Sequence, residues 1–257
     1  MRFLTPWESG LPTGADPRKS KGRIVKLVRY IANLGYGSRR EVTNMLREGQ
    51  VRLRDGSLAK EGDFPSHEDL LIDGKPLDPA PGALIMLNKP AGYVCSAREA
   101  STLIYDLMPP RFHGRSPAMS PAGRLDRDTS GLLLLTDDGQ LNHRITSPRN
   151  HLPRVYDARL SRNLRGDEAA TFASGAIVLE SDRTPLKPAT LEILDTRHVR
   201  ITLTEGRYHQ VRRMFAAVGN HVEALHRLAI GRLELGPLSE GSWRVVEIRE
   251  RIQLLGF

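Results

Sequence analysis

One cysteine, Cys95, occurs in 257 residues. A disulfide framework and a multi-cysteine zinc site are therefore excluded, and a reducing cytosol is the expected compartment. Aromatic residues make up only 5% of the chain, with two tryptophans, which disfavours a stacking platform for single-stranded nucleic acid. No apolar run reaches the ~18 residues of a membrane-spanning helix. The opening MRFLTPWESGLPTG lacks the charged start and apolar stretch of a secretory leader, so none is expected. Internal repeats are also missing.

Charge is where the chain is rich. The net charge is +8 and the pI about 9.9, which points to polyanionic partners, nucleic acid or an anionic membrane surface. Between Arg18 and Arg54 there are 11 Lys/Arg against two Asp/Glu. This excess of nine exceeds the whole net charge, and the remainder of the chain is nearly balanced. A basic excess confined to one small module is the footprint of a phosphate-contacting domain rather than of a solvated face. Apolar and charged contents of 39% and 26% are those of a globular chain with room for one small and one medium domain.

Residues 1–22 carry Gly, Pro, Ser and basic groups without periodicity and read as a flexible tail. Ile24, Leu27, Val28 and Ile31 have the spacing of an amphipathic helix that Gly35 would end. Ser38-Arg39-Arg40-Glu41 is a capping box opening a second helix, with Val42, Met45 and Leu46 inward and Gly49 as its stop. Short strands are expected at Val51–Arg54 and Leu70–Ile72, each running into an Asp-Gly turn. Two short helices and small strands, with Arg39, Arg40, Arg47 and Arg52 on their polar sides, resemble an S4-like RNA-binding domain over residues 23–76. Leu77–Gly82 reads as a linker.

Residues 83–257 alternate short strands with few helices. Strands are expected at 84–87, 93–95, 132–135, 155–160, 176–179, 190–194, 199–203 and 243–246, and helices at 101–108, 167–173, 208–218 and 247–255. Strands joined through turns, with helices outside, predict an α+β domain on a mixed, mainly antiparallel sheet.

The segment PAGRLDRDTSGLLLLTDDG, residues 121–139, sets Asp126 beside Arg124, ahead of a Thr-Ser-Gly turn and the apolar run Leu132–Leu135. A loop carboxylate between a buried strand and basic groups suits chemistry, although many loop aspartates only cap turns. Asp126 and Asp128 form an Asp-x-Asp pair, but no further acidic cluster supports a metal site. His209, His221 and His226 fit no recurring zinc spacing and read as surface or hydrogen-bonded histidines. Asp137-Asp138-Gly139 reads as a turn and helix cap.

Three segments belong with Asp126: LNKPAGY (Leu87–Tyr93), Arg154-Val155-Tyr156 and LTEGRYHQVRRMF (Leu203–Phe215). Together they resemble the pseudouridine synthases that act on small- and large-subunit ribosomal RNA and carry an S4-like domain. The resemblance covers nearly the whole chain after the tail. It implies that Asp126 is the catalytic aspartate, that Tyr156 stacks on the target base, and that Arg212 pairs with Asp126. It puts Leu203 beside the base, and Arg124, Asn88, Lys89, Arg154 and Arg213 among the RNA contacts. Arg154 stands where the family usually has lysine, which keeps the charge and changes the phosphate geometry. His143–His151 and Glu205–Val222 look most like the enzymes of the small-subunit 16S RNA. A large-subunit enzyme and a non-catalytic ribosome-assembly factor are the alternatives, the latter opposed by the joint presence of Asp126, Tyr156 and Arg212.

The chemistry fits these residue types. Breaking the N1–C1′ bond of uridine builds positive charge on the sugar, which a carboxylate can stabilise or trap. Asp126 could instead remove a sugar proton. An aromatic side chain can hold the freed ring while it turns. Neither metal nor organic cofactor is required. The partner expected is ribosomal RNA within a small-subunit assembly intermediate, met by a monomer in the cytoplasm without membrane contact.

Overall fold

The computed structural model describes residues 26–96, 101–180 and 182–255; the expected tail and Ile24 lie outside them. Two compact units result. The first ends at Gly82 and takes in Gly114–Ser116, and the second holds Ala83–His113 and the chain from Pro117.

In the first unit, α1 (Leu27–Asn33) and α2 (Arg39–Arg47) pack over an antiparallel sheet of β1 (Val51–Leu53), β2 (Leu70–Ile72) and β3 (Lys75–Pro76). Gly35, at φ +90°, ends the first helix as its position predicts. The capping box forms at α2: the Ser38 amide donates to Glu41 Oε2 at 2.6 Å and the Glu41 amide to Ser38 Oγ at 3.3 Å. Leu27, Ile31, Val42, Val51 and Leu70 fill the core. Arg39, Arg40, Arg47 and Arg52 are exposed. Ser116 and Arg115 tie the returning segment to this unit through the Asn33 and Pro79 carbonyls, at 2.8 and 2.9 Å.

The second unit is built on one long sheet. Its strands are β4 (Leu84–Lys89), β5 (Ser120–Pro121), β6 (Thr129–Thr136), β7 (Arg154–Leu160), β8 (Thr190–Asp195), β9 (His198–Leu203), β10 (Val222–Ile230), β11 (Leu233–Glu234) and β12 (Trp243–Val245). The order is β12-β4-β6-β10-β7-β9-β8, with β11 beside β10 and β5 beside β6. Among the named strand pairs of the described residues only β6–β10 is parallel, so the expected mixed, mainly antiparallel sheet is what forms. The helices are α3 (Gly139–Thr146), α4 (Glu168–Ala173), α5 (Gln210–Ala217) and α6 (Ile248–Leu255).

Several expectations need correction. Residues 93–95 contribute one isolated bridge, Val94 to Leu103, instead of a strand. The helix expected at 101–108 is a single 3₁₀ turn, Ile104–Leu107, followed by Pro109-Pro110. Residues 176–179 are irregular; Leu179 is buried in the core and Ile177 packs against it, while Ala176 and Val178 are exposed. The nine-residue strand β10 was not foreseen, nor was α3 as an element, although Asp138 does cap it, accepting from the Gln140 and Leu141 amides at 2.8 and 3.1 Å.

Gly131 fixes how closely β10 approaches β6. It lies opposite Arg227 with φ +101°, and a Cβ there would overlap the Arg227 carbonyl and come within 2.6 Å of its amide nitrogen. Neither backbone can yield without losing the parallel pairing. Gly131→Ala is therefore expected to cost about 3 kcal/mol or more, combining backbone strain with overpacking. Gly166→Ala, at φ +108° with open space around it, is expected to cost only about 1 kcal/mol. Denaturant unfolding of the two variants checks the difference, and equal losses would show that φ alone matters at Gly131.

Candidate active site

Strand alternation places a set of side chains on one sheet face. On β7, Arg154 and Tyr156 point the same way; Leu203 of β9 lies opposite Arg154, and Arg227 of β10 lies opposite Tyr156. Two apolar clusters cover this face. One includes Leu203, Val211, Phe215 and Leu225, and the other Leu125, Leu133, Leu135 and Phe112, with Tyr156 packed against both. At this junction opens a cavity of about 370 Å³, lined by Asp126, Tyr156, Leu203 and Arg227 and by the basic groups Arg124, Arg154 and Arg207. That volume suits a base or a small ligand. Burial pushes the Arg154 guanidinium below the usual arginine range, with nearby Tyr156 opposing and Arg227 adding to the shift.

Asp126 sits on the loop from β5 to β6, its side chain 34% exposed. The loop presents its carbonyl oxygens inward. Lys89 Nζ donates to Thr129 O at 2.7 Å, Arg127 O at 3.2 Å and Pro90 O at 2.9 Å, and the Gly92 amide donates to Arg127 O at 2.8 Å. Arg212 Nη2 donates to Asp128 O at 3.0 Å and its Nη1 to Val222 O at 2.7 Å. The turn after the carboxylate is thus gripped by two cations through its backbone.

These contacts correct four expected roles. Lys89 is 0% exposed and spends its three protons on carbonyls, so it holds the loop rather than RNA. Burial pushes its pKa below the ordinary lysine value, against the pull of Cys95, Asp128 and Asp126 nearby. Asn88 is buried as well and donates to Leu238 O at 2.8 Å, away from the cavity. Arg212 does not pair with the Asp126 carboxylate. Its fork bridges two carbonyls, one on the loop and one on β10, because α5 carries the guanidinium past the carboxylate to the turn behind it. Arg213 also serves the scaffold: it donates to Glu180 O, Tyr208 O and Asp182 Oδ1.

The nearest ionisable neighbour of Asp126 is His209, with Nε2 at 3.3 Å from Oδ1. His209 has φ +48°, a left-handed conformation uncommon for a non-glycine residue. Its ring stacks on Tyr208, centroids 3.9 Å apart, and Tyr208 is 76% exposed. An ionic knot holds this turn. Asp182 accepts from Arg207 at 2.9 Å and Arg213 at 3.0 Å, while Glu205 Oε1 accepts from Gln210 Nε2 at 2.9 Å and the Lys187 amide at 3.0 Å. The Arg213 and Arg207 hydrogen bonds hold the Asp182 carboxyl below its usual range.

Sequence reasoning missed two residues here. His209 was read as an ordinary surface or hydrogen-bonded histidine. Arg227 was not considered: it is 1% exposed, donates from Nε to Leu132 O at 2.7 Å and from Nη1 to Tyr156 Oη at 3.5 Å, and its Nη2 has no partner among the described residues. The available signal was an arginine in an inward position of the alternating run Leu225-His226-Arg227-Leu228-Ala229. Among the described residues no group of three His, Cys, Asp or Glu could hold a metal ion, and no helix is long and apolar enough to cross a membrane.

Against known proteins, the family model described as RNA pseudouridylate synthase matches residues 83–217. The chain belongs to this family. It is 43% identical over 230 residues to ribosomal small subunit pseudouridine synthase A of Escherichia coli (strain K12), covering 86% of this chain and 95% of that protein. The Yersinia pestis protein of the same name is 43% identical over 219 residues, covering 83% and 91%. A solved pseudouridylate synthase superposes with a TM-score of 0.64 at 39% identity, over 90% of this chain and 99% of that one. Most of the residues that line the cavity, from Gly123 to Val211, fall within the matched segment.

Lys89 gives the scaffold reading a sharp test. Lys89→Met keeps the volume but leaves the three carbonyls without their donor, and is expected to destabilise the enzyme by about 3 kcal/mol. RNA affinity and its salt slope, measured below the unfolding transition, should stay within about twofold, because no phosphate contact is lost. A clear drop in the salt slope would return Lys89 to the RNA surface.

Proposed function

We propose that the enzyme converts a specific uridine of small-subunit ribosomal RNA to pseudouridine, with Asp126 acting on the sugar. The observation that carries this is the Asp126 carboxylate, open to a base-sized cavity walled by Tyr156 and Leu203. Isomerisation breaks N1–C1′, turns the ring, forms C5–C1′, removes a proton from C5 and returns one to N1. As N1–C1′ breaks, positive charge grows on the sugar, and an ionised carboxylate beside it either traps C1′ or takes a sugar proton. Leu203 offers an apolar edge and Tyr156 an aromatic one to the free ring. Arg124 and Arg154 suit the phosphates flanking a flipped nucleotide, while Arg207 is spent on Asp182 and Glu205.

The 16S assignment is supported by the names and 43% identity of the two bacterial relatives and by the likeness of His143–His151 and Glu205–Val222. For the first unit we propose an S4-like RNA-binding role over residues 23–76, with Arg39, Arg40, Arg47 and Arg52 contacting phosphates from exposed positions. A monomer acting in the cytoplasm on a small-subunit assembly intermediate is the finer form of this reading. It is supported by the single buried cysteine and the concentrated basic charge.

Two outcomes are expected. Asp126→Asn and Asp126→Ala lose turnover on the order of 10⁴-fold or more, read as tritium release from 5-tritiated uridine in rRNA, while rRNA affinity stays within a few fold. Substantial turnover by either removes Asp126 from the central role. Replacing Arg39, Arg40 and Arg47 together by Ala weakens rRNA binding and lowers the slope of log affinity against log salt by about two. An unchanged slope makes that surface a solvated face.

A further inference from the structure

Arg227 is an expensive residue to keep. Its guanidinium is 1% exposed, and no carboxylate forms an ion pair with it among the described residues. Leaving a buried cation without an anion costs stability, and an apolar side chain of similar volume would serve the core as well or better. The one side-chain atom that Arg227 meets through a hydrogen bond is Tyr156 Oη, at 3.5 Å, and the guanidinium carbon lies 5.9 Å from the Tyr156 ring centre. Among the described residues the Tyr156 hydroxyl has no other hydrogen-bond partner. Cross-strand pairing and the Nε bond to Leu132 O at 2.7 Å fix this geometry from the backbone.

We propose that Arg227 is a positioning residue that holds Tyr156 as a phenolate between two halves of one proton transfer. The proposal rests on the pseudouridine synthase reading of the cavity. When N1–C1′ breaks, the electron pair leaves with the ring and N1 needs a proton; the Tyr156 phenol gives its own. The phenolate that results faces the Arg227 guanidinium, so the buried cation acquires its anion at this stage. Turning the ring end for end exchanges N1 with C5 at the sugar. C5–C1′ then forms, C5 carries both its hydrogen and the new bond, and the phenolate takes that hydrogen as a proton. Tyr156 and Arg227 end as they began, and one proton has moved from C5 to N1. A fixed phenol can meet both atoms because the turn brings them in succession to one place. An arginine supplies a permanent positive charge without itself losing a proton.

The test uses the full chain with Arg227→Met, Arg227→Lys, Tyr156→Phe and the double variant Tyr156→Phe with Arg227→Met, plus Asp126→Asn as control. Substrate is rRNA transcribed with uridine bearing hydrogen or deuterium at C5. Arg227→Met is expected to unfold at the same or higher denaturant concentration than the wild type, yet to turn over on the order of a hundredfold more slowly. It should also show a normal C5 deuterium isotope effect larger than that of the wild type. Arg227→Lys should restore part of the rate, and the double variant should be no slower than Tyr156→Phe alone. The inference is overturned if Arg227→Met is less stable while its folded fraction turns over normally, if the isotope effect is unchanged, or if the two losses multiply. Failure of the underlying reading looks different: the wild type and Asp126→Asn would then release no more C5 hydrogen than RNA alone.

Discussion

A buried ammonium holds the Asp126 loop in place. Lys89 ends β4, has no access to water, and reaches the carbonyls of Pro90, Arg127 and Thr129. A loop that turns its carbonyls inward needs donors there, since buried acceptors left unmade cost more than formed bonds return. Arg212 supplies a second donor at Asp128 O from the side of α5. Asp126 stands immediately before this gripped turn, so backbone contacts fix the position from which its carboxylate meets His209. The side chain remains open to a ligand and to His209.

The same economy governs the cations around the cavity. Lys89, Arg212 and Arg227 satisfy carbonyls or a phenol, Arg207 is spent on carboxylates and carbonyls, and Arg124 and Arg154 line open space. Interior cations interact strongly with whatever they face, because little water screens them. Arg124, exposed at the cavity margin, is hydrated and suits the phosphates of a chain that comes and goes. The ionic knot of Asp182, Arg207, Arg213 and Glu205 then fixes the turn that carries His209.

How much of this was legible depended on the kind of signal. The capping box at Ser38–Glu41, the glycine stop at Gly35 and the strand at Leu132–Leu135 are local, and each formed where its residues indicated. β10 was hidden because its partners lie far away in sequence: it needs Gly131 on one side and Tyr156 on the other. An arginine in its inward register also breaks the apolar alternation by which a strand is recognised. The residues 176–179 were misread for the opposite reason, since a loop with Leu179 in the core can be as apolar as a strand. Within the site, the family resemblance had put Asp126, Tyr156, Leu203 and Arg154 together, and all four line one cavity. The resemblance could not tell a phosphate-binding lysine from a carbonyl-binding one, because Lys89 is distinguished only by burial.

Helix geometry explains why Arg212 and Arg213 do different work despite being adjacent. Successive helix residues are turned by about 100°, so from α5 one guanidinium meets the Asp128 carbonyl and the other the Asp182 carboxylate. The first reaches the Asp126 loop and the second the turn that carries His209. The two halves of the cavity wall, one arriving from β6 and one from β9, are thus referenced to a single helix through neighbouring residues. A shift of α5 would move both halves together. The distance between the Asp126 carboxylate and the Leu203 edge of the cavity is then set by the packing of Val211, Met214 and Phe215 beneath that helix, an apolar constraint on the geometry of a polar site.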